Sequence, residues 1–268
     1  MILATDLDRT LFPNGAQPAD DSMPRLADFI ARRGITLVYV TGRNLQQIRE
    51  GIGEFAPPLP AYAVAEVGTR VYRRDDERFS EDTGYLARIR DLDPQWSADK
   101  LRRALADCRL LRLQEDFNQN EFKLSYYVDD PGRVNDAKAA AGAALGEHRD
   151  CAQIITSVDE TVGIGLLDIL PRHANKLEGI EFVRGQLGAA SDDIVYAGDS
   201  GNDLIPLTSG YRAVVVGNAS DEVRREVERS ARRNGTLERI HFAGGYYHAG
   251  ILEALELLDE GTASPRRD

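Results

Sequence analysis

Ile2-Leu3-Ala4-Thr5 runs straight into Asp6-Leu7-Asp8-Arg9-Thr10, so a short apolar segment ends on two aspartates. The next thirty residues decide how that stretch is read. Residues 21–33 carry Leu26, Phe29 and Ile30 at helical spacing, with Asp20 or Asp21 as candidate N-caps and Gly34 as a stop. The β-rich run Ile35-Thr36-Leu37-Val38-Tyr39-Val40 comes after it. Strand, short crossover helix and strand predict a βαβ unit with parallel strands. The fold class expected is therefore α/β, with a doubly wound Rossmann-like parallel-sheet core.

Working outward, a second helix is expected to open near Asn44 and close by Gly51 or Gly53. Pro57-Pro58-Leu59-Pro60 then breaks the chain before strands at about 61–65 and 69–72, with a turn at Gly68 between them. From residue 84 the character changes. Charged helical stretches flank the alternating segment 120–129, a half-exposed strand; the alanine-rich stretch 137–145 predicts a helix, and 153–157 and 163–170 predict strands. This middle part reads as a separate small α+β unit. After Pro171 the first pattern returns, with apolar strands at 194–197 and 213–216, helices at 221–232 and 251–258, and a loose tail over 261–268.

Three polar clusters each follow an expected buried strand: Asp6-Leu7-Asp8-Arg9-Thr10, Thr41-Gly42-Arg43, and Gly198-Asp199-Ser200-Gly201-Asn202-Asp203. Ligand crevices in open parallel sheets lie beyond the carboxyl ends of the strands, so these clusters are expected to converge. Asp6, Asp8, Asp199 and Asp203 would repel one another unless a hard cation sat among them, and Mg²⁺ suits such oxygen ligands. Thr41 and the Gly42 amide offer donors to an anion, and Lys176 adds positive charge opposite the metal.

Composition narrows the classes. Hydrophobic residues make up 42% and charged residues 29% of 268, the balance of a folded globular chain. Lys+Arg 33 against Asp+Glu 44 leaves a net charge of −11, which disfavours nucleic acid and anionic membranes as partners. Apolar runs fall well short of the ~20 residues needed to span a bilayer, and the start lacks a signal-peptide pattern, so a cytoplasmic location is expected. Cys108 and Cys151 suit a reducing compartment rather than a disulfide framework. His148, His173, His241 and His248 show no two-histidine metal spacing.

Asp-Leu-Asp-Arg-Thr, Thr-Gly-Arg, Asn175-Lys176 and Gly-Asp-Ser-Gly-Asn-Asp occur in the order of the haloacid dehalogenase superfamily phosphatases, which the sequence resembles over nearly its whole length. Phe122-Lys123-Leu124-Ser125-Tyr126, Asp168-Ile169-Leu170-Pro171 and His248-Ala249-Gly250-Ile251-Leu252-Glu253-Ala254 make it similar to the sucrose-phosphate phosphatase-like branch. The resemblance implies Asp6 as nucleophile and Asp8 as general acid and base. It implies a Mg²⁺ held by Asp6, the main-chain carbonyl of Asp8 and Asp199, with Asp203 supporting the metal shell or orienting Lys176. Thr41 and Lys176 would bind the phosphoryl oxygens, and Gly42, Arg43 and Asn202 would contact substrate. Arg9 departs from the family, which often has glycine or a small polar residue there; its side chain can point away or reach the substrate entrance.

The resemblance also implies a core of residues 1–83 and 170–268 and a cap of residues 84–169 that covers the site and recognises the leaving group. Lys123 and Tyr126 are the readers expected, although alternation puts Lys123 with Ser125 and Tyr127 on one face and Tyr126 with Phe122 and Leu124 on the other, leaving open which face meets the sugar. The expected reaction is hydrolysis of a sugar phosphate, with sucrose 6-phosphate leading. Mannosylfructose phosphate, another sugar phosphate, phosphoryl transfer of the phosphomutase kind, and non-catalytic sensing of a phosphosugar stand as alternatives. Each residue has a plainer reading as a solvated turn, helix cap or surface charge; what argues against it is the joint order of the clusters. Gly198-Asp199-Ser200-Gly201 also matches a serine-protease nucleophile segment, which the alternating helices and strands contradict.

Overall fold

Ile2–Thr5 (β1), Thr36–Val40 (β2) and Ile194–Gly198 (β10) are short runs buried on both faces, as strands of a sheet covered by helices must be. The computed structural model describes residues 1–159 and 162–263. Tyr62–Ala65 (β3), Arg70–Asp75 (β4), Arg78–Glu81 (β5), Arg212–Val215 (β11) and Ile240–Phe242 (β12) complete an eight-stranded sheet in the order β12-β11-β10-β1-β2-β3-β4-β5. β12 through β3 pair in parallel, while β4 and β5 are antiparallel.

Alternation within each strand sends residues to opposite faces. Leu3, Leu37 and Tyr39 join Leu26 and Phe29 of Met23–Arg33 (α1), Ile48 of Leu45–Phe55 (α2), and Ile251 and Leu255 of His248–Ala263 (α9). Ala4, Val38 and Val40 meet Tyr85 of Thr83–Leu92 (α3), Ile180 of Lys176–Leu187 (α6), Leu207 of Leu204–Leu207 (α7) and Val227 of Asp221–Asn234 (α8). The core is thus doubly wound, as expected.

A second, antiparallel sheet orders Arg112–Leu113 (β6), Leu124–Val128 (β7), Ile164–Pro171 (β9) and Ala152–Asp159 (β8) as β6-β7-β9-β8. Leu124, Tyr126 and Val128 pack one side of it against Leu101 of Ala98–Ala104 (α4) and against Ala137, Ala141 and Leu145 of Val134–Leu145 (α5). Its other side is left facing the carboxyl ends of the main-sheet strands.

Several local expectations shift. α1 is capped at Ser22 rather than Asp20 or Asp21; Asp20 instead accepts from the Ser22 amide at 3.0 Å. α2 runs through both glycines to Phe55, because the reciprocal Asn44–Gln47 capping box secures its start and Ala56 supplies the left-handed stop. β7 is shorter than 120–129, because Asn120 Oδ1 accepts from the Phe122 amide at 2.6 Å and folds residues 120–123 into a turn. α9 continues through Ala263 where the sequence predicts a loose tail from 261, and the rest of that tail, residues 264–268, lies outside the described residues. Among the described residues no helix is long and apolar enough to cross a membrane.

Candidate active site

Adjacent strands β10, β1 and β2 end side by side, and their carboxyl ends carry Asp199, Asp6 and Thr41. The Asp6 amide donates to the Ala197 carbonyl at 2.9 Å, carrying the sheet pairing one residue past β1. Beyond it Phe12 N donates to the Leu7 carbonyl at 2.7 Å, while Leu7, Leu11 and Phe12 are fully buried. This anchored loop is what holds Asp6 and Asp8 in place. The chain changes direction across the sheet at β1, where open α/β sheets form their binding crevice.

Lys176, at the first position of α6 behind its N-cap Asn175, is buried and reaches three oxygens. Its Nζ lies 2.7 Å from Asp6 Oδ1, 2.6 Å from Asp203 Oδ1 and 2.6 Å from Asn202 Oδ1. Asp203 is saturated: Oδ1 also accepts from Tyr196 OH at 2.5 Å, and Oδ2 accepts from the Asp199 and Ser200 amides at 3.2 and 3.1 Å. Burial pulls the Lys176 ammonium down, but Asp203 and Asp6 outweigh it and hold the group above the usual lysine range. Burial pushes the Asp6 carboxyl well above its ordinary range; Lys176 opposes this, and Asp203 and Asp199 add to it. Asp199 is pushed up to about 7 by burial and Asp203, against Arg9 and Lys176.

Asp6 and Asp199, whose ionisation burial opposes, lie with the buried Asp203 as a donor set that a hard divalent cation would satisfy. Asp6, Asp199 and Asp203 each offer an oxygen, all within 4.8 Å of one another. The Asp8 carboxylate lies outside this group. It accepts instead from Arg43 and, at 2.7 Å, from Asn14 Nδ2.

Thr41 is fully buried, and its Oγ1 accepts from the Arg43 amide at 3.1 Å. Gly42 lines the cleft beside it. The loop after β3 closes over this point: Val67 N donates to the Thr41 carbonyl at 3.0 Å. Gly68, with φ +94°, comes so close to Asn175 that a Cβ there would stand 2.0 Å from its carbonyl carbon. That contact seats the N-cap of α6, and hence Lys176, against the loop that follows β3.

Above these groups is a cleft of about 520 Å³, reaching from Asp6 and Asp8 to the free side of the second sheet. Lys123, Ser125 and Tyr127 face it, whereas Tyr126 lies in the apolar layer under α4 and α5 and does not line it. Of the two expected readers, only Lys123 is therefore placed to meet a ligand. Gln114 and Asp168 line the same wall, and Asp168 accepts from Ser125 Oγ at 2.5 Å. The two sheets touch at the cleft's edges, where Asn44 Nδ2 donates to the Phe117 carbonyl at 3.3 Å and Asn120 Nδ2 donates to Thr69 Oγ1 at 2.8 Å.

Arg9 turns inward, its Nε 3.3 Å from Asp199 Oδ2. His248 is buried at the start of α9, 3.4 Å from Asp20, and is not among the cleft-lining residues. Asn14, Tyr196 and Asn218 were missed by sequence reasoning, since a loop asparagine and a strand tyrosine carry no spacing signal.

The family description for sucrose-6F-phosphate phosphohydrolase matches residues 1–259. A HAD-like hydrolase of Nitrosococcus oceani is 40% identical over 265 residues, covering 95% of this chain and 71% of that protein. The mannosylfructose-phosphate phosphatase of Agrobacterium fabrum is 30% identical over 233 residues, covering 83% and 85% of the two chains. In fold, the sucrose-phosphatase of Synechocystis sp. PCC6803, crystallised with sucrose and phosphate, superposes with a TM-score of 0.80 at 24% identity, over 97% of this chain and 98% of that one.

Proposed function

We propose, from the premise that this chain belongs to the sucrose-6F-phosphate phosphohydrolase family of the haloacid dehalogenase superfamily, that it hydrolyses the phosphate ester of a disaccharide such as sucrose 6-phosphate, with Mg²⁺ as cofactor. It is a phosphoric monoester hydrolase. The observation that carries the reading is Lys176 Nζ bridging Asp6 and Asp203 directly behind a cleft that Asp6 and Asp8 line.

Asp6, the Asp8 main-chain carbonyl and Asp199 would hold the metal, with Asp203 supporting them from behind. Bound there, Mg²⁺ supplies positive charge to the transferring phosphoryl group and to Asp6. Asp6 attacks phosphorus in line, and the bond from phosphorus to the sugar oxygen breaks as Asp8 hands that oxygen a proton. Water then attacks phosphorus as Asp8 takes a proton from it, and the bond from phosphorus to Asp6 breaks, releasing phosphate and restoring the Asp6 carboxylate. Lys176 and Thr41 bind the phosphoryl oxygens and so offset the repulsion between two anions. Asp203 and Asn202 keep Lys176 aimed at Asp6 rather than at solvent. Residues 84–169 act as the cap, with Lys123 reaching the sugar and Arg43 at the cleft's edge.

The test is phosphate release, with and without Mg²⁺, from sucrose 6-phosphate, mannosylfructose 6-phosphate, glucose 6-phosphate, fructose 6-phosphate and an aryl phosphate. One strongly preferred disaccharide phosphate is the result expected. Even, weak hydrolysis across the panel would reject the substrate, and no metal-dependent release would reject the reaction. Asp6→Asn is expected to keep the circular dichroism of the native chain and lose turnover; retained turnover would remove Asp6 from its role.

A further inference from the structure

Arg9 has a φ of 58°, in the left-handed region that glycine and asparagine enter readily and a long side chain does not. Its backbone is fastened there from within its own loop and from one distant loop. The amide donates to Asn14 Oδ1 at 2.7 Å, and the carbonyl accepts from Asn218 Nδ2 at 2.6 Å. The side chain then folds back toward Asp199 while still lining the cleft. Nη2 donates to the Asn218 carbonyl at 3.3 Å, Nε stands 3.3 Å from Asp199 Oδ2, and only 13% of the side chain is exposed. Asp199's other oxygen accepts from Thr10 at 3.3 Å. An unfavourable backbone conformation thus keeps a guanidinium against one carboxylate of the acidic cluster.

Charge counting shows what that placement does. Ionised, as a bound cation requires, Asp6, Asp199 and Asp203 contribute three negative charges and Lys176 one positive; Asp8 and Arg43 cancel. Without Arg9 the cluster would stand at −2, matched to a divalent cation, and the loaded site would be neutral. With Arg9 the cluster stands at −1, and the loaded site at +1 faces the phosphoryl dianion. The guanidinium is nearly buried, so solvent and salt screen it weakly.

We infer that Arg9 is a resident counter-charge of Asp199 that weakens divalent-cation binding and strengthens phosphate binding once the cation is in place. The inference rests on the metal-dependent phosphatase reading above and adds to it a residue that sets the division of affinity between the two ligands. In this reading Arg9 acts through its ion pair with Asp199, as a positioning residue.

The test is isothermal titration of the full chain with Mg²⁺, then with inorganic phosphate at saturating Mg²⁺, for the native protein and for Arg9→Asn, Arg9→Gly and Arg9→Lys. The neutral variants are expected to bind Mg²⁺ about tenfold tighter and phosphate about tenfold more weakly, and the lysine variant to stay within about threefold of native on both. Glycine and asparagine suit the left-handed backbone, so both neutral variants are expected to fold, as thermal melts will check. Mg²⁺ affinity unchanged or weaker in both neutral variants, or phosphate affinity unchanged, overturns the inference. A lysine variant that tracks the neutral ones overturns it too, since packing rather than charge would then be responsible. If the native chain takes up no Mg²⁺, the metal-dependent reading itself falls and the inference with it; native uptake without a shift in the variants removes Arg9's role alone.

Discussion

Arg43 holds Asp8 in a fork: Nε lies 2.9 and 3.1 Å from the two carboxylate oxygens and Nη2 lies 2.6 Å from one of them. The guanidinium is itself fixed, since Nη1 donates to the Gln47 carbonyl at 3.0 Å and the group stacks 5.2 Å from the centre of the Phe12 ring. Burial pulls the Arg43 pKa down, but the Asp8 hydrogen bonds and charge outweigh it and raise the group above its ordinary range, so it stays a cation throughout. Asp8, whose side chain is partly exposed, thereby acquires one orientation.

Arg43→Lys is therefore expected to lower kcat on a small aryl phosphate about 10- to 100-fold while the fold persists, because a point charge cannot reproduce a two-point grip and misplacement of an acid-base group costs rate steeply. Steady-state kinetics with matched circular dichroism checks this. An unchanged kcat would mean that Asp8 needs no such support.

Tyr196 offers a different dependency. Its hydroxyl donates to Asp203 Oδ1 inside the sheet, with no solvent to replace it. Tyr196→Phe removes one of two donors on that oxygen and leaves Lys176 alone there. A loss of about 2 kcal/mol in unfolding free energy is expected, since hydrogen bonds to buried charges are the strong ones. Urea denaturation will show it as a lower midpoint at unchanged slope.

Tyr196 also marks where the sequence stops being legible. Asp6, Thr41 and Asp199 could be placed because strand ends in a parallel sheet converge, a rule that needs only order and periodicity. Tyr196 sits in Ile194–Gly198 among apolar neighbours and reads as core; its polar role comes from Asp203 folding back past the strand end, which no periodicity encodes. Tyr126 shows the same limit on the opposite wall. Alternation separates it from Lys123, but which face becomes the cleft is decided by α4 and α5 packing on one side of the sheet. Arg9 could equally well point outward, were its backbone not fastened by Asn14 and Asn218.

Glu253 ties the far loop to this arrangement. Its carboxylate accepts from the Gly244 and Gly245 amides, the latter at 2.8 Å, and lies 2.8 Å from His241 Nε2. The same loop presents the Tyr247 amide to Asn218 Oδ1 at 2.8 Å, and Asn218 in turn holds the Arg9 carbonyl. Partial burial pushes the Glu253 carboxyl up, but the Gly245 amide, His241 and the Gly244 amide outweigh it and hold it below the ordinary range. A depressed folded-state pKa means stability that is present above the unfolded value of about 4.3 and is lost as pH falls through the folded value. Glu253→Gln is thus expected to melt lower than native at pH 7 and to show a smaller further drop below about pH 4.3. Melting curves across pH check both signs, and parallel curves would contradict the assignment.

A substitution at Lys123 tests whether recognition of the leaving group can be separated from the chemistry of the phosphate. It is 4% exposed yet lines the cleft opposite Asp8, on the wall that carries Gln114, Ser125 and Asp168. An ammonium in that position donates to hydroxyls of a leaving group long enough to span the cleft, and a small aryl phosphate has none to offer. Lys123→Ala should then raise KM for the preferred disaccharide phosphate about tenfold or more and shift KM for the aryl phosphate less than about twofold, the pattern of a lost binding contact. Equal effects on both substrates would place Lys123 in phosphate binding instead, and no effect on either would leave it a buried residue just before β7.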